Sequence, residues 1–425
     1  MALGFLVALL GLVPLVESAA GGFQFGLGPL FDVVVLALGI GLAVVGVRRL
    51  IRSVVAVVAP NAPDELAAAV VTGHALRRGP KIVVLGGGTG MPVLLRGLKS
   101  YTAQLTAIVA SADDGGSTGR LRAGFNIQPP GDVRNCLVAL SEAEPLLEKL
   151  FQYRFEEGGD LAGHAFGNLF LTAMERTTGD FQAAITASSR VLAVQGRVLM
   201  ATAEPVVLWA KTEDGEWIKG ESEITRHGRT IEDVRLEPAV PQVDPAVVEA
   251  IRTAEAVVIA PGSLWTSILP VLLAPGVADA IAKSRAAKIY VQNLMTQPGE
   301  TTGMGLRQHL EAIERHAPGT VHWVVLHQGE IEPGLLARYA SVGAMPVDTD
   351  TAGLAESGKL IRRRDVLAPG ALARHDSGKL ARAVLEIVLD ASEAWEPRRR
   401  LDFLALAERL RRSEAGPWQI HSPGA

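Results

Sequence analysis

Apolar residues in this chain fall into two patterns. From Lys81 onward, short unbroken aliphatic runs alternate with longer stretches whose apolar positions recur every three or four residues. The short runs, at 82–85, 105–110, 256–260, 289–291 and 321–326, predict strands buried on both faces. The periodic stretches predict helices over 92–99, 134–140, 145–153, 166–177, 181–192, 245–254, 304–315 and 379–389. Strand and helix in alternation argue for an α/β fold, a mainly parallel sheet with crossover helices, over residues 81–390. Residues 204–240 break the rhythm. Val206, Leu208 and Ala210 alternate with other residues, Glu213-Asp214-Gly215 supplies a turn, and Trp217-Ile218 begins a return strand. That segment predicts a β-hairpin insertion.

The first 60 residues carry a third pattern. Residues 1–16 are apolar throughout, 26–47 are apolar apart from Asp32, and Ala19-Ala20-Gly21-Gly22 lies between them. A bilayer span needs ~20 apolar helical residues. Arg48, Arg49 and Arg52 follow the second stretch, so the rest of the chain is placed in the cytoplasm. The prediction is a transmembrane hairpin over 1–60 in the inner (cytoplasmic) membrane, with a linker over 61–80. A cleaved signal peptide and a single span with an external N-terminus are the alternatives. The tail, 391–425, predicts an amphipathic basic helix. Leu401, Leu404 and Leu410 share its apolar side, near Arg409, Arg411 and Arg412. It either lies on the anionic leaflet or packs on the main domain.

Composition narrows the chemistry. A net charge of −4 gives no global attraction to nucleic acid. One cysteine, Cys136, allows neither an internal disulfide nor a zinc-thiolate cluster.

The candidate chemistry sits in loops that follow strands. Gly86-Gly87-Gly88-Thr89-Gly90 joins the first strand to a helix, placing backbone N–H groups and a helix N-terminus where an anion can sit. Met91 stands at the third glycine of a dinucleotide fingerprint, and no P-loop lysine follows, so phosphate cradling is the reading that survives. After the second strand, Asp113-Asp114 precede Gly115-Gly116-Ser117-Thr118-Gly119. The acidic pair can hold a ribose or a Mg²⁺ ion, or open a surface turn. Arg120 and Arg122 add positive charge there. Asp132, Arg134 and Asn135 enter a helix behind Pro129-Pro130-Gly131, where Asp132 can cap and Arg134 can present a planar fork. His164 and Asn168, four residues apart in Gly163-His164-Ala165-Phe166-Gly167-Asn168, share a face beside a helix start. Gly262, Ser263 and Thr266 follow the strand at 256–260, and Asn293 and Thr296 follow that at 289–291. Near the end, Arg374 is a phosphate or uronate partner in Ala373-Arg374-His375-Asp376, with Asp376 as a competing surface cap. Loops of this kind at strand carboxyl ends describe one crevice of an open α/β sheet.

Taken together, these blocks resemble the YvcK/CofD family, and specifically its YvcK-like gluconeogenesis-factor branch, over roughly 80–389. The resemblance also rests on Leu150-Phe151-Gln152-Tyr153-Arg154-Phe155, on the run from Pro261 through Trp265 to Pro270, and on that from Asn293 to Glu300. Thr118, Phe166 and Trp265 depart from the common residues of that branch. The resemblance implies a Rossmann-like fold binding UDP-sugars, notably UDP-N-acetylglucosamine, in a cytoplasmic protein that supports envelope synthesis and cell shape during gluconeogenic growth. A homo-oligomer is a further expectation from the family.

The first expectation is a membrane-tethered UDP-sugar regulator near envelope-precursor enzymes. Gly87, Gly88, Thr89 and Gly90 hold phosphate, Asp113 and Asp114 hold ribose or a cation, Asn168 and Asn293 bond the uridine or sugar, and Arg374 neutralises diphosphate. The CofD branch implies an alternative, a Mg²⁺-dependent transferase of 2-phospholactate to a deazaflavin. A third reading makes the insertion at 204–240 a surface that recruits a partner.

Overall fold

The computed structural model describes residues 33–42, 45–46, 73, 75–142, 145–354, 356–391, 406–408 and 410. Contacts divide the chain into two units, Met1–Ala75 and Leu76–Ala425.

In the first unit the described residues form a short apolar helix, Val33–Leu42. Among the described residues no single helix is long and apolar enough to cross a membrane. Apart from that helix, from residues 45–46 and, in the linker, from 73 and 75–80, the predicted hairpin and linker lie outside the described residues.

The second unit is built on a seven-stranded, all-parallel sheet. Its strands are β1 (Ile82–Gly86), β2 (Leu105–Val109), β3 (Arg197–Met200), β7 (Ala256–Ile259), β8 (Ala287–Val291), β9 (Trp323–His327) and β10 (Leu360–Arg364), in the order β10-β9-β8-β7-β1-β2-β3. Parallel strands need crossover connections, and the helices that supply them cover both faces, which is why the central strands read as unbroken apolar runs. Period-two alternation then divides each strand between two cores. Ile82 and Val84 face a layer containing the helices Gly90–Leu98, Pro130–Leu140 and Ser377–Ala391, whereas Val83 and Leu85 face Trp265, Leu306 and Ile313.

The predicted hairpin insertion is present and extended by one strand. β4 (Val207–Thr212) pairs antiparallel with both β5 (Trp217–Lys219) and β6 (Ile231–Glu237). Leu208, Ile218 and Val234 turn inward to the second core, while Trp209 and Lys211 are half-buried on the other face. The glycine loop expected at 115–119 is instead the opening of a helix, Gly116–Phe125. Of the tail, Leu406 and Leu410 are described and are buried with the first core, as packing on the domain requires.

Candidate functional site

The sheet has one topological switch point. The chain runs outward from β1 through β2 to β3, then returns and runs the other way from β7 to β10. Loops after β1 and β7 therefore leave their strands on opposite sides and open a crevice between them, where such sheets bind ligands. Close backbone approach forms its floor. A Cβ on Gly90 would lie 2.0 Å from the Pro261 carbonyl oxygen, so only glycine fits there. Gly88, at φ +65°, donates its N–H to Asp132 Oδ2 at 2.7 Å. Asn293 fastens the far wall, accepting from Gly262 N at 2.9 Å and donating to Gly262 O at 2.7 Å.

Asp132 does not cap its helix, as the sequence suggested. Pro129 occupies the cap of Pro130–Leu140, and Asp132 reaches back to the glycine loop from the first turn. Burial, with the charge of Asp113 added, raises its pKa to about 6. The carboxylate thus holds the amide that a ligand phosphate would use. Helices Gly90–Leu98, Gly116–Phe125 and Pro130–Leu140 begin at this end of the sheet, and their N-termini favour negative charge.

The acidic pair divides its work. Asp113 Oδ1 accepts from Gly115 N at 3.0 Å, and burial raises its pKa. Asp114 turns away. Its oxygens accept from Ser222 N at 2.8 Å and Glu221 N at 3.1 Å, capping the insertion helix Glu221–His227. The pair therefore does not converge on one point, and a Mg²⁺ ion held by Asp113 and Asp114 does not fit this arrangement. Among the described residues no cluster of three or more metal-ligating side chains could hold an ion. Arg122 is likewise engaged, donating to the carbonyls of Asp113 at 2.7 Å and Val206 at 2.8 Å.

Two acids that the sequence reading passed over complete the wall. Glu221, carried in by the insertion, is driven to a pKa of about 8 by burial first and then by Asp113, Glu300, Asp114 and Asp132. Glu300 is buried and accepts from Ser263, Gln297 and Thr225, the last at 2.9 Å. It ties the loops after β7 and β8 to the insertion, and burial raises its pKa. Nothing local marked Glu221, and Glu300, which ends the run from Asn293, has its partners Ser263 and Thr225 in remote parts of the chain.

Ser117, His164, Asn168, Arg134 and Asn135 form one network. Ser117 Oγ meets His164 Nδ1 at 3.0 Å and accepts from Asn168 Nδ2 at 3.1 Å. Arg134 donates to Asn168 Oδ1 at 3.0 Å and Asn135 Oδ1 at 2.9 Å. Burial, with Arg120 and Arg154 nearby, lowers the His164 pKa, so the ring is neutral at neutral pH. The structure thus unites the loops around 87–90, 113–117, 132–135, 164–168, 262–266 and 293. It does not bring in Thr296, whose hydroxyl accepts from Met345 N at 2.9 Å, or Arg374, which is exposed and makes no side-chain hydrogen bond. Thr89 and Gly116 are exposed at helix starts. At the opposite end of the sheet a cleft of about 410 Å³ is lined by Lys81, Gln104, Thr106, Arg197 and Thr253, with no carboxylate or histidine.

Comparison with known proteins agrees with this architecture. Residues 82–367 match the family model described as 2-phospho-L-lactate transferase CofD. The chain belongs to the CofD family. Within the CofD family it is 45% identical over 313 residues to the gluconeogenesis factor of Bacillus subtilis, covering 73% of this chain and 98% of that one. It is 48% identical over 307 residues to the gluconeogenesis factor of Halalkalibacterium halodurans, covering 72% and 95%. A putative gluconeogenesis factor of a Nostoc species is 47% identical over 352 residues, 82% and 77% of the respective lengths. The crystal structure of a Bacillus halodurans protein superposes with a TM-score of 0.71 at 47% identity, covering 72% of this chain and 99% of that one. The shared CofD-family core therefore ends short of residues 1–60, which belong to none of the family match.

Proposed function

We propose that this chain is a UDP-sugar-binding regulator, with UDP-N-acetylglucosamine as ligand, that adjusts envelope-precursor synthesis to gluconeogenic carbon flow. One observation carries the reading: two glycine loops meet at the switch point within backbone contact, Gly90 against Pro261, beneath an amide held by the Asp132 carboxylate. The diphosphate replaces that carboxylate at Gly88 and lies at the helix N-termini. Asp113, held by Gly115 N and by the Thr118 hydroxyl, faces the ribose. Ser117 and Asn168 supply hydrogen bonds from one side, and the clamped Gly262–Ser263 loop from the other. Arg374, unpaired and exposed, neutralises phosphate once ligand draws its turn inward.

The apolar stretch 26–47, followed by Arg48, Arg49 and Arg52, supports a tether that keeps this domain on the cytoplasmic side of the inner membrane. A tethered regulator would act on envelope-precursor enzymes held at the same surface, as a homo-oligomer or alone. Calorimetric titration of UDP-N-acetylglucosamine into the full chain in detergent tests the reading; a folded chain that takes up no UDP-sugar removes it.

A second reading, transfer of 2-phospholactate to a deazaflavin, is favoured by the description of the matching family model. Incubation with a nucleotide-activated phospholactate and a deazaflavin alcohol decides it by mass spectrometry, and absence of a phosphodiester product excludes it.

A further inference from the structure

The cleft at the amino ends of β1, β2 and β3 is a second concave site, and the crevice does not use it. Period-two alternation builds its floor. Ile82, Leu105 and Val198 turn to the first core, so Lys81, Gln104, Thr106 and Arg197 belong to the other face. Register sets them side by side. Val83 pairs with Thr106 and Thr106 with Arg197, while Lys81 and Gln104 stand two residues before that row. The crossover helix Pro245–Arg252 supplies a wall through Ala250, with Thr253 at its end. The cleft volume of about 410 Å³ lies in the ~300–1,000 Å³ range of small-molecule sites.

Its polar groups divide into free donors and free acceptors. Lys81 and Arg197 are exposed, and among the described residues neither head group has an ion pair. Two carboxylates nearby are engaged: Glu255 Oε2 accepts from the Lys81 backbone N–H at 2.8 Å, and Glu249 holds Arg252 through two bonds of 2.9 Å. Thr106, 6% exposed, is a hydroxyl in the otherwise aliphatic strand Leu105–Val109. It accepts from Arg197 Nη2 at 3.3 Å, which leaves its own proton for the cleft. Gln104 spends Nε2 on Gly79 O at 2.6 Å and keeps Oε1; Thr253 Oγ1 donates to Glu249 O at 2.8 Å and keeps its lone pairs. Strand spacing and rise put the backbones of Lys81 and Arg197 ~12 Å apart, a gap that two long side chains close on one anion above Thr106. We propose that this cleft binds a hydroxylated phosphate monoester, a sugar or polyol phosphate, as a second ligand of the chain. The phosphate takes the Arg197 fork, the Lys81 ammonium and the Thr106 proton, and carbohydrate hydroxyls donate to Gln104 and Thr253. No aromatic side chain lines the cleft, so a nucleobase has nothing to stack on. The cleft is independent of the UDP-sugar reading, lying at the other end of the strands.

The test is calorimetry on the full chain in detergent with glucose 6-phosphate, inorganic phosphate and glucose, each against wild type, Lys81→Gln and Arg197→Gln. Hydrogen–deuterium exchange with glucose 6-phosphate locates the binding. Both substituted side chains are exposed, so thermal midpoints should match wild type. Glucose 6-phosphate should bind, inorganic phosphate at least about tenfold more weakly, and glucose not at all. Each substitution should weaken glucose 6-phosphate binding by about tenfold or more, and new protection should appear at 81–83, 104–106 and 196–198. Absence of binding by the folded chain overturns the proposal, as does an affinity that both substitutions leave unchanged. Protection at 86–90 instead assigns the phosphate to the glycine-loop crevice and overturns it too. Equal affinity for inorganic phosphate and glucose 6-phosphate leaves an anion site and removes the sugar phosphate.

Discussion

Glu221→Gln is the substitution whose outcome the site's electrostatics fix most sharply. In the folded chain the carboxyl sits at about 8, against an ordinary value of 4.5, because it is buried beside Asp113, Glu300, Asp114 and Asp132. A carboxyl raised on folding holds its proton more tightly in the native state. Its contribution to stability is therefore full below about 4.5 and is lost as pH rises through 8. Full conversion of the shift gives on the order of 4–5 kcal/mol above pH 8. The side chain is half-buried, so solvent screening reduces the figure to ~2 kcal/mol. Glutamine keeps the shape and leaves the Glu221 backbone N–H on Asp114 undisturbed. Urea unfolding at pH 4, 7 and 9 should show nearly equal stability at pH 4. The variant should be ~2 kcal/mol more stable at pH 9, a difference of ~1 M in midpoint if the urea slope is about 2 kcal/mol/M. Parallel pH dependence in the two proteins would refute the four-carboxylate environment.

Other expectations follow from the same contacts. Asp132, at about 6, competes for Gly88 as an anion, so UDP-sugar affinity should rise as pH falls from 7 to 5.5, measured by calorimetry, and Asp132→Asn should flatten that rise. Gly90→Ala puts a methyl 2.0 Å from Pro261 O; it should cost about 1–3 kcal/mol in denaturant unfolding and weaken ligand binding by spreading the two loops. Asn293→Ala strips both hydrogen bonds from Gly262 and should cost about 1–3 kcal/mol, with Asn293→Asp no better, because a carboxylate would face the Gly262 carbonyl.

Much of this was legible in the chain because the central strands are buried on both faces. Ile82–Gly86 and Ala256–Ile259 could scarcely read otherwise than as buried strands, and their following glycines mark the crevice. The edge strands were not legible. β3 is four residues long and begins with exposed Arg197, while β10 reads Leu-Ile-Arg-Arg-Arg, its charges suited to an unpaired edge. Gly116–Phe125 looked like a loop since Gly116, Gly119 and Gly124 weaken its helical pattern, yet packing of Leu121 and buried Ser117 and Thr118 holds it. In the site, loop chemistry was readable but role was not. Asn293 looked like a ligand group and clamps Gly262; Asp114 looked like a ribose or metal partner and caps the insertion helix. Glu221 lies 107 residues from Asp114 in sequence, a juxtaposition that only the fold supplies.

Hydrogen–deuterium exchange of the full chain with and without UDP-N-acetylglucosamine tests the central claim most directly. The account predicts new protection at the strand carboxyl ends, at 86–90, 113–117 and 261–263, and in the turn around Arg374, with little change elsewhere. Protection instead around Lys81, Gln104 and Arg197, in the cleft at the amino ends of β1 to β3, would place the ligand on the wrong side of the sheet and contradict it.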